Sequence, residues 1–134
     1  MSALIRIKKK ILVIDDEPNV CELLSETLKN GGYEAHRALS GQEGFEKAAS
    51  LKPDLILLDV MMPVMDGWKV LERLRRASET QDIPVVMLTA RSETESVIKS
   101  QQFKVVDYFF KPVDLAELLR LLPRYVGLRG HDES

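Results

Sequence analysis

Four short apolar runs constrain this chain more than any other feature: Ile11-Leu12-Val13-Ile14, Leu55-Ile56-Leu57-Leu58, Val85-Val86-Met87-Leu88 and Tyr108-Phe109-Phe110. Runs that stay apolar without alternating are the mark of strands buried on both faces, and such strands belong to parallel sheets. Helix-length segments separate them, so the connections must be crossovers that cover both faces of the sheet. Each run also ends on a polar residue: Asp15-Asp16, Asp59, Thr89 and Lys111. Ligands of such sheets bind outside the strands' carboxyl ends, so residues far apart in sequence are expected to meet at one edge.

Five strand-then-helix units can be traced. Pro18 suits a first helical turn, and Val20, Leu23, Leu24 and Leu28 recur at helical spacing until Gly31-Gly32 stops that helix. Residues 33–38 form a weaker, more polar second strand. Ser40 and Glu43 make a capping-box pattern, with Phe45, Ala48 and Ala49 as the inward face of a helix ending near Pro53. After Asp59, a loop leads to Asp66 as N-cap of a helix carrying Val70, Leu71 and Leu74. Ser92 and Glu95 suggest a further helix with Val97 and Ile98. Asp114 and Glu117 cap a last one, whose Leu115, Leu118, Leu119 and Leu122 face inward until Pro123. Residues 9–122 are thus expected to form one domain, 123–134 a short polar tail that frays, and no effector domain is expected behind it.

A chain of 134 residues is long enough for one core and too short for two. Its 19 basic and 21 acidic residues give a net charge of −2, no overall basic field for nucleic acid phosphates. The cluster Arg6, Lys8, Lys9, Lys10 reads as a solvated lead into the first strand. Cys21 is the only cysteine, so no internal disulfide forms, and with no partner at useful spacing it reads as a small, partly buried filler. No apolar stretch approaches the roughly 20 residues that span a bilayer, and the expectation is a cytoplasmic protein without direct nucleic acid or membrane contact.

The residues at the sheet edge permit a definite chemistry. Two carboxylate charges about 4 Å apart at an effective dielectric near 20 repel by about 4 kcal/mol, so a cation must offset them or one acid must hold a proton. Carboxylate oxygens suit the small, hard Mg²⁺. Helix capping accounts for one of Asp15 and Asp16 but leaves Asp59 unexplained. A carboxylate can attack phosphorus and form an acyl phosphate; phosphoryl transfer then asks mainly for positioning and charge stabilisation, which a metal, the Thr89 hydroxyl and the Lys111 ammonium supply. Pro112 restricts the backbone of Lys111 to an extended form.

With Asp15-Asp16, Asp59-Val-Met-Met-Pro-Val-Met-Asp66-Gly67, Thr89-Ala90 and Tyr108-Phe-Phe-Lys111-Pro112 in order along the chain, the sequence resembles the receiver domains of bacterial two-component response regulators, chemotaxis regulators among them. The resemblance implies a flavodoxin-like, doubly wound (βα)5 fold with strand order 2-1-3-4-5, the order that flavodoxin shares with chemotaxis receivers. It implies Asp59 as phosphoacceptor. Mg²⁺ would be bound by Asp16, Asp59 and the Met61 carbonyl, with Asp15 acting mainly through water. Thr89 and Lys111 would contact the phosphoryl oxygens, and Thr89 and Tyr108 would form the switch. Met61 and Arg91, two residues beyond Asp59 and Thr89, would tune the lifetime of the phosphoryl group by hindering the attacking water.

The implied partners are a sensor histidine kinase or phosphotransfer protein as donor, and a downstream effector protein on the face made by the fourth helix, fifth strand and fifth helix. A monomer or a phosphorylation-dependent dimer is expected. Phe109 and Phe110 are assigned to the core. The sequence departs from the family pattern at Lys104-Val105-Val106, where a Gly-Ala-Asp-like turn is common, and at Val64, which replaces a frequent loop glycine. Two other readings stand beside this one. A Mg²⁺-dependent phosphohydrolase of the haloacid dehalogenase type shares the aspartyl nucleophile, but places a second Asp as general acid two residues on, where this chain has Met61. A pseudo-receiver would bind a partner without phosphorylation. His36 and His131 are not placed as phosphodonors, and Gly41 and Gly44 make no nucleotide-binding motif.

Overall fold

The structure is a computed structural model that describes residues 7–90 and 104–131, with side chains through residue 128. Five strands, β1 (Lys10–Ile14), β2 (Glu34–Ala38), β3 (Leu55–Asp59), β4 (Val85–Thr89) and β5 (Asp107–Phe110), form one sheet. All neighbouring pairs are parallel and the order is β2-β1-β3-β4-β5, as expected. Four helices, α1 (Pro18–Asn30), α2 (Gly41–Leu51), α3 (Gly67–Arg76) and α4 (Leu115–His131), are described. The helix expected from Ser92, with Val97 and Ile98, lies outside the described residues, as do Arg91 and Phe103.

The apolar runs do what two-sided burial requires. Alternate residues of β1, β3 and β4 feed two separate cores. Leu12, Ile14, Ile56, Leu58, Val85 and Met87 face α2 and α3 on one side. Ile11, Val13, Leu55, Leu57, Val86 and Leu88 face α1 and α4 on the other. Each fully buried Leu, Ile or Val contributes about 1.5–3 kcal/mol, which makes the central strands a rigid platform for whatever stands at their carboxyl ends.

The helix starts follow their predicted caps. Ser40 Oγ accepts from the Glu43 N–H at 3.1 Å, and Glu43 returns the bond one residue earlier than a capping box requires, to the Leu39 N–H at 2.8 Å. Asp66 Oδ1 accepts from the Lys69 N–H, and Asp114 Oδ1 from the Glu117 N–H.

Four expectations are corrected. In α1 the inward stripe is Cys21, Leu24, Ser25 and Leu28, while Leu23 is exposed; Cys21 is fully buried within the stripe rather than partly buried beside it. Its Sγ points to the Asp15 carbonyl at 3.2 Å, and burial, with the nearby Asp15 charge, pushes the thiol up to about 11. The last helix does not stop at Pro123 but continues to His131. A mid-helix proline costs about 3 kcal/mol, and burial of Tyr125 and Val126 beyond it offsets that cost. Tyr125 packs edge-on against Phe109 and donates its hydroxyl to Asp107. Phe110 is only half-buried, meeting Tyr108 edge-on with ring centroids 5.6 Å apart. At the departure Lys104-Val105-Val106 the two valines are partly buried, each packed against one of the cores.

Candidate functional site

Sheet register assembles the site. Ile14 pairs with Leu58, so Asp15, one residue on, stands level with Asp59 at the end of β3. Asp59 pairs with Leu88 and Thr89 with Phe110, which brings Thr89 and then Lys111 to the same edge. The Lys111 N–H donates to the Thr89 carbonyl at 2.8 Å and extends the β4–β5 ladder to the base of the lysine side chain. The Lys111–Pro112 peptide is cis.

From that base Lys111 Nζ reaches three carboxylates: Asp15 Oδ2 at 3.0 Å, Asp59 Oδ1 at 3.1 Å and Glu17 Oε1 at 3.8 Å. Asp15 and Asp59 are buried, Asp16 is half-exposed, and the three aspartates each offer an oxygen within 4.8 Å of the others. Four carboxylates, Asp15, Asp16, Glu17 and Asp59, against one ammonium leave the cluster negative. Burial and the Asp15 charge raise the Asp59 pKa to about 6, against the opposing pull of Lys111 and the Met61 N–H. Burial works against the charge on Lys111, yet its bond to Asp15 and the charges of Asp59 and Asp15 hold its pKa above the ordinary value. Oxygen donors at this spacing with surplus negative charge fit a hard dication.

The loop after β3 folds close over the end of the strand, where Asp59 is buried. The Met61 N–H donates to Asp59 Oδ1 at 3.3 Å, while the Met61 side chain is 63% exposed. The Gly67 N–H closes the turn on the Val60 carbonyl. A Cβ on Gly67 would sit 2.3 Å from the Asp59 carbonyl oxygen and 2.9 Å from Val60 Cα, so only glycine lets α3 start this close to the strand end. Thr89 is buried, and among the described residues its hydroxyl makes one long bond of 3.4 Å, to the Ala90 carbonyl. Tyr108 is half-buried on β5.

The two departures from the family pattern fall on left-handed backbone. Val64 has φ +67° and Lys104 φ +56°, a region that glycine enters without steric cost and a β-branched residue does not. Reasoning from sequence had no role for Glu17. Its position directly after Asp15-Asp16 was the available signal. Nor did sequence show that Asp15, besides any metal role, is the buried partner of Lys111 and accepts the Glu17 N–H at 3.0 Å.

The family model for the response regulator receiver domain matches residues 11–123. Among curated proteins, the chain is 44% identical over 110 residues to the DNA-binding dual master transcriptional regulator RpaA of Synechocystis sp., covering 82% of this chain and 46% of that protein. It is 31% identical to sporulation initiation phosphotransferase F of Bacillus subtilis, covering 92% and 98%. Chemotaxis protein CheY4 of Vibrio cholerae superposes with a TM-score of 0.83 at 31% identity, covering 89% and 99%. The receiver domain of a Pseudomonas aeruginosa sensor histidine kinase, solved with magnesium coordinated in its active-site cleft, gives 0.81 at 28% identity, covering 90% and 99%. The chain thus spans less than half of RpaA and nearly all of sporulation initiation phosphotransferase F. With the 2-1-3-4-5 sheet and the aspartate–lysine cluster at its carboxyl edge, this chain belongs to the response regulator receiver family.

Proposed function

We propose that Asp59 accepts a phosphoryl group from a phosphohistidine of a sensor histidine kinase or phosphotransfer protein, and that the acyl phosphate alters the chain's affinity for a downstream effector protein. The observation that supports this most directly is the meeting of Asp59 with Asp15, Asp16 and Lys111 at one sheet edge. An Asp59 carboxylate oxygen attacks phosphorus in line, the donor P–N bond breaks, and its electron pair leaves on the imidazole nitrogen. Burial and the Asp15 charge, which lift the Asp59 pKa to about 6, make this carboxylate more basic than an exposed one while leaving it ionised at neutral pH. Lys111, 3.1 Å from Asp59 Oδ1, balances charge on the transferred group, and the weakly engaged Thr89 hydroxyl is free to turn toward it.

Asp16, Asp59 and the Met61 carbonyl, with Asp15 behind them, would hold Mg²⁺, which supplies charge neutralisation for the phosphoryl oxygens. The magnesium in the cleft of the Pseudomonas relative favours that ion. Movement of Thr89 toward the phosphoryl group, with rotation of the half-buried Tyr108, would carry the change to the face of β5 and α4. Met61 and Arg91 would set how long the acyl phosphate lasts. The receiver unit in this reading starts at residue 9 and extends past the expected boundary at 122, since the last helix packs Tyr125 and Val126 into the core. The chain is a phosphoacceptor rather than a turnover enzyme: the position where a dehalogenase-type hydrolase keeps its acid holds Met61, which has no proton to give. Among the described residues no helix is long and apolar enough to cross a membrane, in keeping with action in the cytoplasm, as a monomer or a phosphorylation-dependent dimer.

Intact-mass analysis after incubation with acetyl phosphate and Mg²⁺ tests this. One added phosphoryl group on the parent and none on Asp59→Asn is expected. Labelling of the variant, or sustained turnover of phosphate esters by the parent, would refute it.

A further inference from the structure

Glu17 occupies the N-cap of α1 yet makes no side-chain capping bond, and its carboxylate is 63% exposed. It is therefore free of the duty that acidic residues usually perform there. Instead it reaches Lys111 Nζ at 3.8 Å, beside the contacts of that ammonium with Asp15 and Asp59. By way of Lys111, the Glu17 carboxylate lies no more than about 7 Å from the Asp59 oxygen, close enough for charge to be felt by an incoming group. Asp15 and Asp59 are buried and Asp16 is half-exposed, so Glu17 is the most exposed carboxylate of the cluster and the one most open to a donor arriving from solvent.

We propose that Glu17 is a specificity-determining residue that selects phosphodonors by charge, disfavouring dianionic small-molecule donors relative to donors with less negative charge beside the phosphoryl group. The inference rests on Asp59 being the phosphoacceptor. Glu17 acts in two ways. Its charge repels an approaching dianion, and its contact with Lys111 competes with the donor for the ammonium that must meet the phosphoryl oxygens. A phosphoryl group on nitrogen, carried on a neutral or cationic surface, is penalised less by the repulsion, while the competition for Lys111 slows every donor alike.

The test compares acetyl phosphate, a dianion at neutral pH, with phosphoramidate, which carries about one negative charge fewer, on the parent chain and on Glu17→Gln, with Mg²⁺ present. One extra unit charge about 7 Å away at a dielectric near that of water interacts by about RT, so the acetyl phosphate to phosphoramidate rate ratio should rise about threefold in the variant. Raising ionic strength toward 1 M, where the Debye length falls to about 3 Å, should shift the parent's ratio toward that of the variant. A ratio that stays the same in Glu17→Gln, with both rates unchanged or both altered equally, would overturn the proposal. So would a parent ratio insensitive to salt. Failure of the parent to label with either donor would instead sink the phosphoacceptor reading, which the Asp59→Asn control reports separately.

Discussion

Replacing Asp59 by asparagine should make the metal-free protein more stable, although it removes a contact with Lys111. Asp59 is buried and its pKa is raised from the ordinary 3.8 to about 6 by burial and the Asp15 charge, after the favourable pull of Lys111 has been counted. Because the folded state binds the proton more tightly than the unfolded state, the associated stability is fully present below about pH 4 and is lost as pH rises through about 6. Each pH unit of difference corresponds to about 1.36 kcal/mol, which gives about 3 kcal/mol at neutral pH as an upper figure. Asparagine keeps the shape without the charge. Urea unfolding at pH 7.5 in chelator should show Asp59→Asn more stable by about 1–3 kcal/mol with an unchanged m value, and the gap should close near pH 4. Mg²⁺ at about ten times its Kd should return about 1.4 kcal/mol to the parent and less to the variant. A variant less stable than the parent in chelator, or a gap independent of pH between 4 and 7, would refute the claim that burying the Asp59 charge beside Asp15 destabilises the fold.

Other perturbations address the frame around that pocket. Gly67→Ala drives a Cβ to 2.3 Å from the Asp59 carbonyl; the β3–α3 turn must shift, so acetyl phosphate labelling should fall at least tenfold while circular dichroism keeps the helical signal. Val64 is fully exposed at φ +67°, so Val64→Gly relieves about 1–3 kcal/mol of backbone strain, loses about 0.5–1 kcal/mol to the flexibility of glycine, and should stabilise the chain by about 1 kcal/mol in the same urea assay. Cys21, buried with its thiol pushed up to about 11, should react with iodoacetamide at pH 8 only as fast as the chain opens. Modification at the rate of a free thiol would show that the α1 stripe is wrongly placed.

The apolar runs announced the central strands because residues buried on both faces leave a continuous signature, and the polar residue ending each run announced the edge where they converge. Caps at Ser40, Asp66 and Asp114 were legible for a similar reason: a short polar side chain before an amphipathic segment has a local job. What escaped the sequence depended on contacts between distant elements. Pro123 looked like a stop because its penalty is local, whereas the burial of Tyr125 against Phe109 that offsets it is tertiary. Leu24 and Leu28 fit a stripe shared with Val20 and Leu23 as well as one shared with Cys21 and Ser25, and hydropathy favours the first although packing takes the second. Phe110 reads as core because it closes an apolar run, yet it is the last residue of an edge strand and is half-buried there. The pairing of Asp15 and Glu17 with Lys111 spans 96 residues and 94 residues of chain and leaves no trace in either local segment.

The central claim, that Asp59 is the carboxylate that takes the phosphoryl group, is tested most directly by trapping. Acetyl phosphate labelling with Mg²⁺, followed by borohydride reduction, converts an acyl phosphate to homoserine and leaves free carboxylates untouched. Peptide mapping should find homoserine at position 59, dependent on both donor and Mg²⁺. Homoserine at Asp15 or Asp16, or none anywhere on a chain shown by mass to be labelled, would contradict the account.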